Sequence, residues 1–401
     1  MQKSVIFIVA SIVLSSGAYG QAPAPDIHTL FNAAWERSVA LQTTEGRRQE
    51  AAASRVQADS LIAGPPTLGL LHRDDRWTER RGLRESEVTI GLPIWMPGQR
   101  LARGDLADAQ AAEAEASAGL AKLNVAAEVR ERVWQLAAAE GERDVLRRRE
   151  DVSASLRDDV QRRVKAGDLA RTDLLLAQQD HLATQTLLVE GEARLVDARA
   201  RLLQSTGLST LPLRYDEPVA QAGAASAHPR LEAAQRIVIR NERQLGYLQK
   251  SRRDPPEVGL SYRADRAGGG LPNDQTIGIF VRIPFATDAR NLPRETAAQT
   301  ELMTARAEFD RAERVIRSHI DAATTALSLA EQQLALTEQR SATLSERAAL
   351  LRKTFNLGEI GLPEVLRAQN QALEAEADLV RQRARRGLAV ATLNQALGVL
   401  P

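Results

Sequence analysis

The chain has 401 residues, with 53 basic against 52 acidic side chains, only 3% aromatics and no cysteine. Balanced charge argues against a nucleic-acid-binding protein, which carries a basic excess. The lack of cysteine excludes disulfides, thiolate metal centres and a lipid-modified N-terminal cysteine. Alanine, leucine, glutamate, glutamine and arginine dominate, which is the composition of long helices and coiled coils, so an elongated helical shape is expected.

Residues 1–20 read as a removable signal peptide. Lys3 supplies the positive end, Val5 to Leu14 is an apolar run broken only by Ser11, and Ala18-Tyr19-Gly20 offers a small-x-small cleavage pattern. The run is short for a membrane anchor. No long apolar segment follows, so the mature chain is either soluble in the periplasm or crosses a membrane as β-strands.

Residues 21–207 form a first unit. It opens with a polar helix over Ile27 to Ile62, ended by Pro65-Pro66, since proline lacks the amide donor and clashes with the preceding turn. A β-hairpin over about 66–93 follows. In it Val88, Ile90 and Leu92 alternate with Glu87, Thr89 and Gly91, around an arginine-rich loop from Arg73 to Ser86. A helical hairpin covers about 99–205. Its first helix, Gln99 to Lys165, contains no proline and would be about 100 Å long. After Gly167 the second helix runs to Ser205, with Leu188, Leu195 and Leu202 at seven-residue spacing and Leu175, Leu182 and Val189 likewise. Such spacing marks a coiled-coil seam.

After a linker over 208–228, residues 229–401 repeat the plan. A helix over Pro229 to Ser251 ends at Pro255-Pro256, and a β-hairpin spans about 256–284. Val258, Leu260 and Tyr262 share one strand face there, as do Ile277, Ile279, Val281 and Ile283. The loop from Ala264 to Gln275 contains Gly268-Gly269-Gly270, and no helix of phosphate-binding form follows it. A second helical hairpin covers about 290–398, with Leu366, Leu373 and Val380 as its seam. Pro65-Pro66-Thr67-Leu68-Gly69-Leu70 and Pro255-Pro256-Glu257-Val258-Gly259-Leu260 lie 190 positions apart. Leu92-Pro93-Ile94 and Ile283-Pro284-Phe285, Gly167 and Gly358, Ala177-Gln178 and Ala368-Gln369, and Gly207 and Gly398 all lie 191 apart. Ordered blocks at a near-constant offset indicate a duplication. The strands alone suit either a lipid-facing sheet or a soluble hairpin packed on helices.

No catalytic constellation emerges. The five histidines, His28, His72, His181, His228 and His319, show no metal-ligand spacing. Acidic residues are interleaved with basic ones at helical spacing, the mark of a solvated face. An enzyme is not expected, nor a cofactor or a bound metal. The sharpest local signal is the turn between the long helices of each half. Gly167 and Gly358 supply the left-handed residue that stops one helix. Thr172, or Leu362-Pro363, then starts the next, with Asp173 or Glu364 in its first turn, favourable to the helix dipole.

In this duplicated plan, in the strand ends Leu92-Pro93-Ile94 and Ile283-Pro284-Phe285, and in the glycine turns followed by Asp173-Leu174-Leu175 and Glu364-Val365-Leu366, the chain resembles the TolC-type outer-membrane factors of tripartite efflux systems. The resemblance covers essentially all of the mature sequence. It implies a mainly α fold with a β-barrel portion: a homotrimer with four strands per chain in a twelve-stranded transmembrane barrel embedded in outer-membrane lipid, and long helical hairpins forming an α-barrel across the periplasm. It implies a passive exit duct working with a periplasmic adaptor and a proton-driven inner-membrane transporter. Carried over residue by residue, it makes Ala166, Gly167, Asp168 and Leu169, and Leu357, Gly358, Glu359 and Ile360, adaptor-docking tips. It makes Asp173, Glu364 and Arg367 gate residues. The family often carries a second acidic position about one turn later. Leu176 and Arg367 stand there instead, which departs from a double acidic ring. The chain is also similar to the heavy-metal (cobalt–zinc–cadmium type) branch, although nothing in the pore-forming segments specifies metal. A periplasmic adaptor or a structural coiled-coil envelope protein is the alternative.

Overall fold

The computed structural model describes residues 26–212, 215–220, 228–266 and 272–401. The signal peptide, part of the linker and the triple glycine lie outside these residues. In chain order the elements are α1 (Ile27–Arg37), α2 (Val39–Asp59), β1 (Thr67–Asp74), β2 (Arg84–Pro93), α3 (Gln99–Ala166), α4 (Arg171–Thr206), α5 (Pro229–Lys250), β3 (Glu257–Arg266), β4 (Asn273–Arg282), α6 (Asp288–Asn356) and α7 (Leu362–Ala396).

The opening helix, expected as one, is two. Ser38 breaks it: its backbone is extended, and its hydroxyl accepts from the Leu41 amide at 3.2 Å while donating to the Trp35 carbonyl at 2.7 Å. A serine that both caps the following helix and ties off the preceding one competes with continuous helix.

The four strands form one antiparallel sheet in the order β1-β2-β3-β4. β2 and β3 belong to different repeats, and the whole α3–α4 hairpin and α5 lie between them in sequence. They still pair from Arg84↔Arg266 to Pro93↔Glu257, so the sheet joins the two halves. The strands extend well into what composition reads as loop, because residues such as Arg73, Glu85 and Arg263 satisfy one another across the ladder.

The helices run from the other end of the strands. α3 and α6 have 68 and 69 residues, about 100 Å each. α3 is the spine: it packs against α2, α4, α5 and α7, while α6 packs on α5 and α7. No single compact core results. Buried side chains form separate clusters along the bundle, one around Leu30, Val129, Val133, Leu195 and Leu202 and another at the far end around Leu156, Val160, Phe355, Leu362 and Val365. Close approach depends on small residues. A Cβ on Gly141 would sit 2.4 Å from Val380, and one on Gly387 would enter the Trp134 ring. The linker is clasped to the bundle by Arg130, 2% exposed, whose Nε and Nη2 donate to the two oxygens of Glu217 at 2.8 and 2.6 Å. Both partners of this buried bidentate pair are further hydrogen-bonded, to Gln395 and Asn394, as a buried charge requires.

Candidate functional site

Two regions stand out, one at each end of the molecule. The first is the sheet, whose faces differ sharply. Because register partners share a face, β1 and β2 place Leu68, Leu70, Val88, Ile90 and Leu92 together, and β3 and β4 add Val258, Leu260, Tyr262, Ile277, Ile279 and Val281. This face is exposed: Leu70 is 75%, Ile277 78% and Ile279 77% accessible. So many contiguous exposed β-branched and aliphatic side chains mark an interaction surface for an apolar phase. The opposite face is mostly polar, with Leu71 and Phe280 as its large apolar side chains. It carries Glu85, Glu87, Glu257, Asp265 and Asp274 with Arg73, Arg263 and Arg282, and small residues Gly69, Gly91, Gly259 and Gly278. Glu85 receives Arg73 at 3.3 Å and Arg263 at 2.9 Å, and Arg282 reaches Glu257 at 2.6 Å. The alternation read from the sequence is therefore one continuous apolar surface over four strands. Among the described residues both outer strands, β1 and β4, keep an unpaired edge. No helix among the described residues is long and apolar enough to cross a membrane.

The second region is the helical tips. α3 ends in a left-handed glycine: Gly167 has φ +90°, its amide donates to the Val164 carbonyl at 3.1 Å, and the Asp168 amide donates to Arg163 at 2.9 Å. Gly358 repeats the geometry with φ +80° and bonds from Gly358 to Phe355 and Glu359 to Thr354, at 3.0 and 3.1 Å. This paired bonding is a Schellman motif. Every bond in one half has its counterpart 191 positions on. An added Cβ at either glycine meets nothing within 4 Å, so backbone conformation, not space, demands glycine here. Ala166, Gly167, Asp168, Leu357, Gly358 and Glu359 are exposed, while Leu169 and Ile360 are half-buried against the end cluster.

α4 begins at Arg171, one residue before the expected Thr172, with Ala170 as the cap. Asp173 closes that cap: its carboxylate accepts from the Ala170 amide at 3.2 Å. Glu364 and Arg367 lie exposed in the first turns of α7. Neither forms an ion pair among the described residues. The three residues thus share one end of the molecule, but Asp173 is occupied locally whereas Glu364 and Arg367 are free to meet something else.

Sequence reasoning missed Arg163. Its guanidinium lies 5.0 Å from the Phe355 ring centroid, donates to the Phe355 carbonyl at 3.3 Å and Asn356 Oδ1 at 3.2 Å, and pairs with Asp159 at 3.2 Å. It ties the end of α3 to the end of α6. Two turns further in, Asn370 donates to Asp180 at 3.1 Å and accepts from Arg149 at 2.7 Å, linking α7 to α4 and α3. Arg352, beside Asp159 and Arg163, has its pKa lowered by burial. The two hairpins are therefore fastened together at the tip. The signal was Phe355, the one buried aromatic of the turn, but its partner lies 192 positions away.

Comparison with known proteins agrees with this geometry. The family model described as outer membrane efflux protein matches residues 30–208, the first repeat. No curated protein sequence matches the chain. Solved structures do. The outer membrane protein VceC from Vibrio cholerae has TM-score 0.74 and 17% identity, covering 93% of this chain and 96% of its own. The CmeC outer membrane channel of Campylobacter jejuni has TM-score 0.75 and 11% identity, covering 93% and 85%. The open-state MtrE outer membrane channel of Neisseria gonorrhoeae has TM-score 0.69 and 16% identity, covering 93% and 89%. At these identities the likeness establishes the fold, and the fold covers both repeats.

Proposed function

We propose, for a chain whose first repeat is an outer membrane efflux protein domain and whose whole fold is that of outer-membrane channels, that it is the exit duct of a tripartite efflux pump. It sits in the outer membrane with its helices in the periplasm and passively conducts cargo delivered by a periplasmic adaptor and an inner-membrane, proton-driven transporter. It acts as a conduit and not as an enzyme, and the energy comes from the transporter.

The observation that carries this reading is the sheet with one exposed apolar face and one charged face. A lipid-facing strand needs the first and a water-filled bore the second. Unpaired edges on β1 and β4 are costly in lipid, and closure with neighbouring copies removes them. Four strands from each of three copies make a twelve-stranded barrel.

The helices support the same homotrimer. In α7 the stripe Leu366, Leu373 and Val380 packs inward, with Val380 against Gly141 of α3. In α4 the corresponding stripe is bare: Leu175 is 56%, Leu182 62%, Val189 65% and Val196 67% exposed. α6, at the other edge of the chain, shows Leu329, Leu336 and Leu350 exposed at heptad-compatible spacing. By the repeat, α4 of one copy belongs against α6 of the next.

At the tip, Ala166 to Leu169 and Leu357 to Ile360 are the proposed adaptor-docking surface, supported by their exposure and rigid Schellman geometry. Asp173, Glu364 and Arg367 are the proposed gate. Opening then requires the Arg163–Phe355 and Asn370 links to give way. The excess of five carboxylates over three arginines on the polar sheet face suits cations in general, and heavy-metal cations are one cargo compatible with it.

Labelling tests the core of the proposal. The chain has no cysteine, so single cysteines can be introduced cleanly. In liposomes, Ile279→Cys should resist a water-soluble thiol reagent while Ser261→Cys reacts. Equal reaction at both would refute the barrel.

A further inference from the structure

The apolar rows of the outer sheet face end at Leu70, Val88, Tyr262 and Ile277. Beyond them comes a row of His72, Ser86, Ala264 and Gln275, and then Asp74, Arg84, Arg266 and Asn273. In this last row Arg84 and Arg266 are direct cross-strand partners. Like charges placed opposite each other on one face destabilise a sheet, with Cβ atoms about 5 Å apart. Asp74 is the one carboxylate in the row. It is already shared, accepting from both the backbone and the guanidinium of Arg76 and lying 3.6 Å from Arg84. Arg266 forms no ion pair among the described residues.

The loop above adds to this excess. Asp75 folds it inward by accepting from the amides of Arg81, Gly82 and Leu83 at 2.6, 3.2 and 3.0 Å. Arg80 adopts φ +52° there, and Trp77 stands 93% exposed. Counting this loop with the outer row, five arginines (76, 80, 81, 84, 266) face three carboxylates (74, 75, 79).

Height decides what such a patch meets. Two rows span about 13 Å along a strand, or roughly 10 Å along the membrane normal at barrel tilt. The headgroup zone on one side of a bilayer is about 5–8 Å deep. The backbone of the arginine row therefore stands just beyond the headgroup zone, and the long, flexible arginine side chains reach back down into it. Their guanidinium forks match phosphate oxygens.

We propose that Arg84 and Arg266, with Arg76 beside them, form a binding site for the phosphate of a phosphorylated lipid headgroup in the outer leaflet, whose acyl chains lie on the Leu70–Val88–Tyr262–Ile277 row. A dianion between the two arginines relieves their repulsion and anchors the barrel at a fixed depth. The site rests on the reading of the sheet as a barrel segment.

The test uses the purified trimer, titrated with diphosphoryl lipid A, with dephosphorylated lipid A and with inorganic phosphate, for the wild type, Arg266→Gln and the double variant Arg84→Gln/Arg266→Gln. Both positions lie on the surface, so the variants should assemble and conduct normally. The expected result is tight binding of the phosphorylated lipid only, weakened on the order of tenfold in the single variant and more in the double one. Equal affinity in wild type and double variant, no preference for the phosphorylated lipid, or inorganic phosphate binding as tightly as the lipid would each overturn the site. Planar-bilayer conductance of the same wild-type sample separates the two readings. A conducting trimer with indifferent arginines overturns the site alone, whereas a wild type that never inserts overturns the barrel itself.

Discussion

Arg163 and Phe355 lie in different repeats, yet the guanidinium of one stacks on the ring of the other at 5.0 Å and joins the two helical hairpins at the tip. The same side chain also holds Asn356 and Asp159, so its loss removes a cation–π contact and several charge-assisted bonds together. Arg163→Ala should cost about 1–2 kcal/mol locally. Its larger effect should be on the resting state: basal single-channel conductance in bilayers should rise, while trimer assembly by size exclusion stays intact. Conductance unchanged from wild type would mean that this link does not restrain the tip.

Glu364 is exposed and takes part in no ion pair among the described residues, so its charge is available to passing ions. Glu364→Lys should shift the reversal potential in a salt gradient toward anion preference. Asp173→Lys should instead act mainly through stability, because Asp173 accepts from the Ala170 amide. If Glu364→Lys leaves both conductance and ion preference untouched, the residue has no part in the gate.

Much of this architecture was legible because it is local or periodic. Gly167 and Gly358 announce their turns since only glycine adopts that backbone cheaply, and strand alternation is a period of two. What was not legible is pairing at a distance. Leu182 and Leu373 look alike as members of a heptad stripe. Whether each is covered depends on which helix topology sets opposite: α3 covers the α7 stripe, while among the described residues nothing covers the corresponding stripe of α4. Arg163 was silent for the same reason, since a helical arginine gives no sign of an aromatic partner 192 residues away. The Ser38 break was hidden because serine inside a helical pattern looks the same whether its hydroxyl faces water or caps a new helix.

Gly167 offers a clean test of backbone demand. No atom lies within 4 Å of an added Cβ, so Gly167→Ala introduces left-handed strain without a clash. The cost should be roughly 1–2 kcal/mol, felt at the tip. Hydrogen exchange of the Gly167 and Asp168 amides should quicken by about tenfold, and affinity for the adaptor should fall while conductance is kept. Unaltered exchange would show that the tip does not need this turn.

His228 predicts a pH dependence. Its Nδ1 caps α5 by accepting from the Arg230 amide at 3.1 Å, and its ring also bonds the Ala396 carbonyl. Burial, and then the Arg230 charge, hold its pKa below the ordinary 6.5. The fold therefore favours the neutral ring. This contribution is present above pH 6.5 and is lost as pH falls through the folded-state value. The melting temperature should drop between pH 7 and 5, and His228→Ala should flatten that drop. A slope equal in wild type and variant would assign the pH dependence to other groups.

The bare stripe on α4 makes the most direct prediction about assembly. Leu182 is 62% exposed in the single chain, so Leu182→Glu puts a charge where the isolated fold meets water. Helicity should be unaffected, but trimers should dissociate, because in the assembled barrel that carboxylate would be buried unpaired against α6 of the next copy, at a cost of about 2–3 kcal/mol at each of three contacts. Leu373→Glu is the matched control. The same residue of the other repeat is half-buried in the chain's own bundle, so the change should lower the stability of the monomer itself. Native mass spectrometry beside thermal unfolding distinguishes the two. A trimer in Leu182→Glu as stable as the wild type would show that α4 faces solvent and not a neighbour.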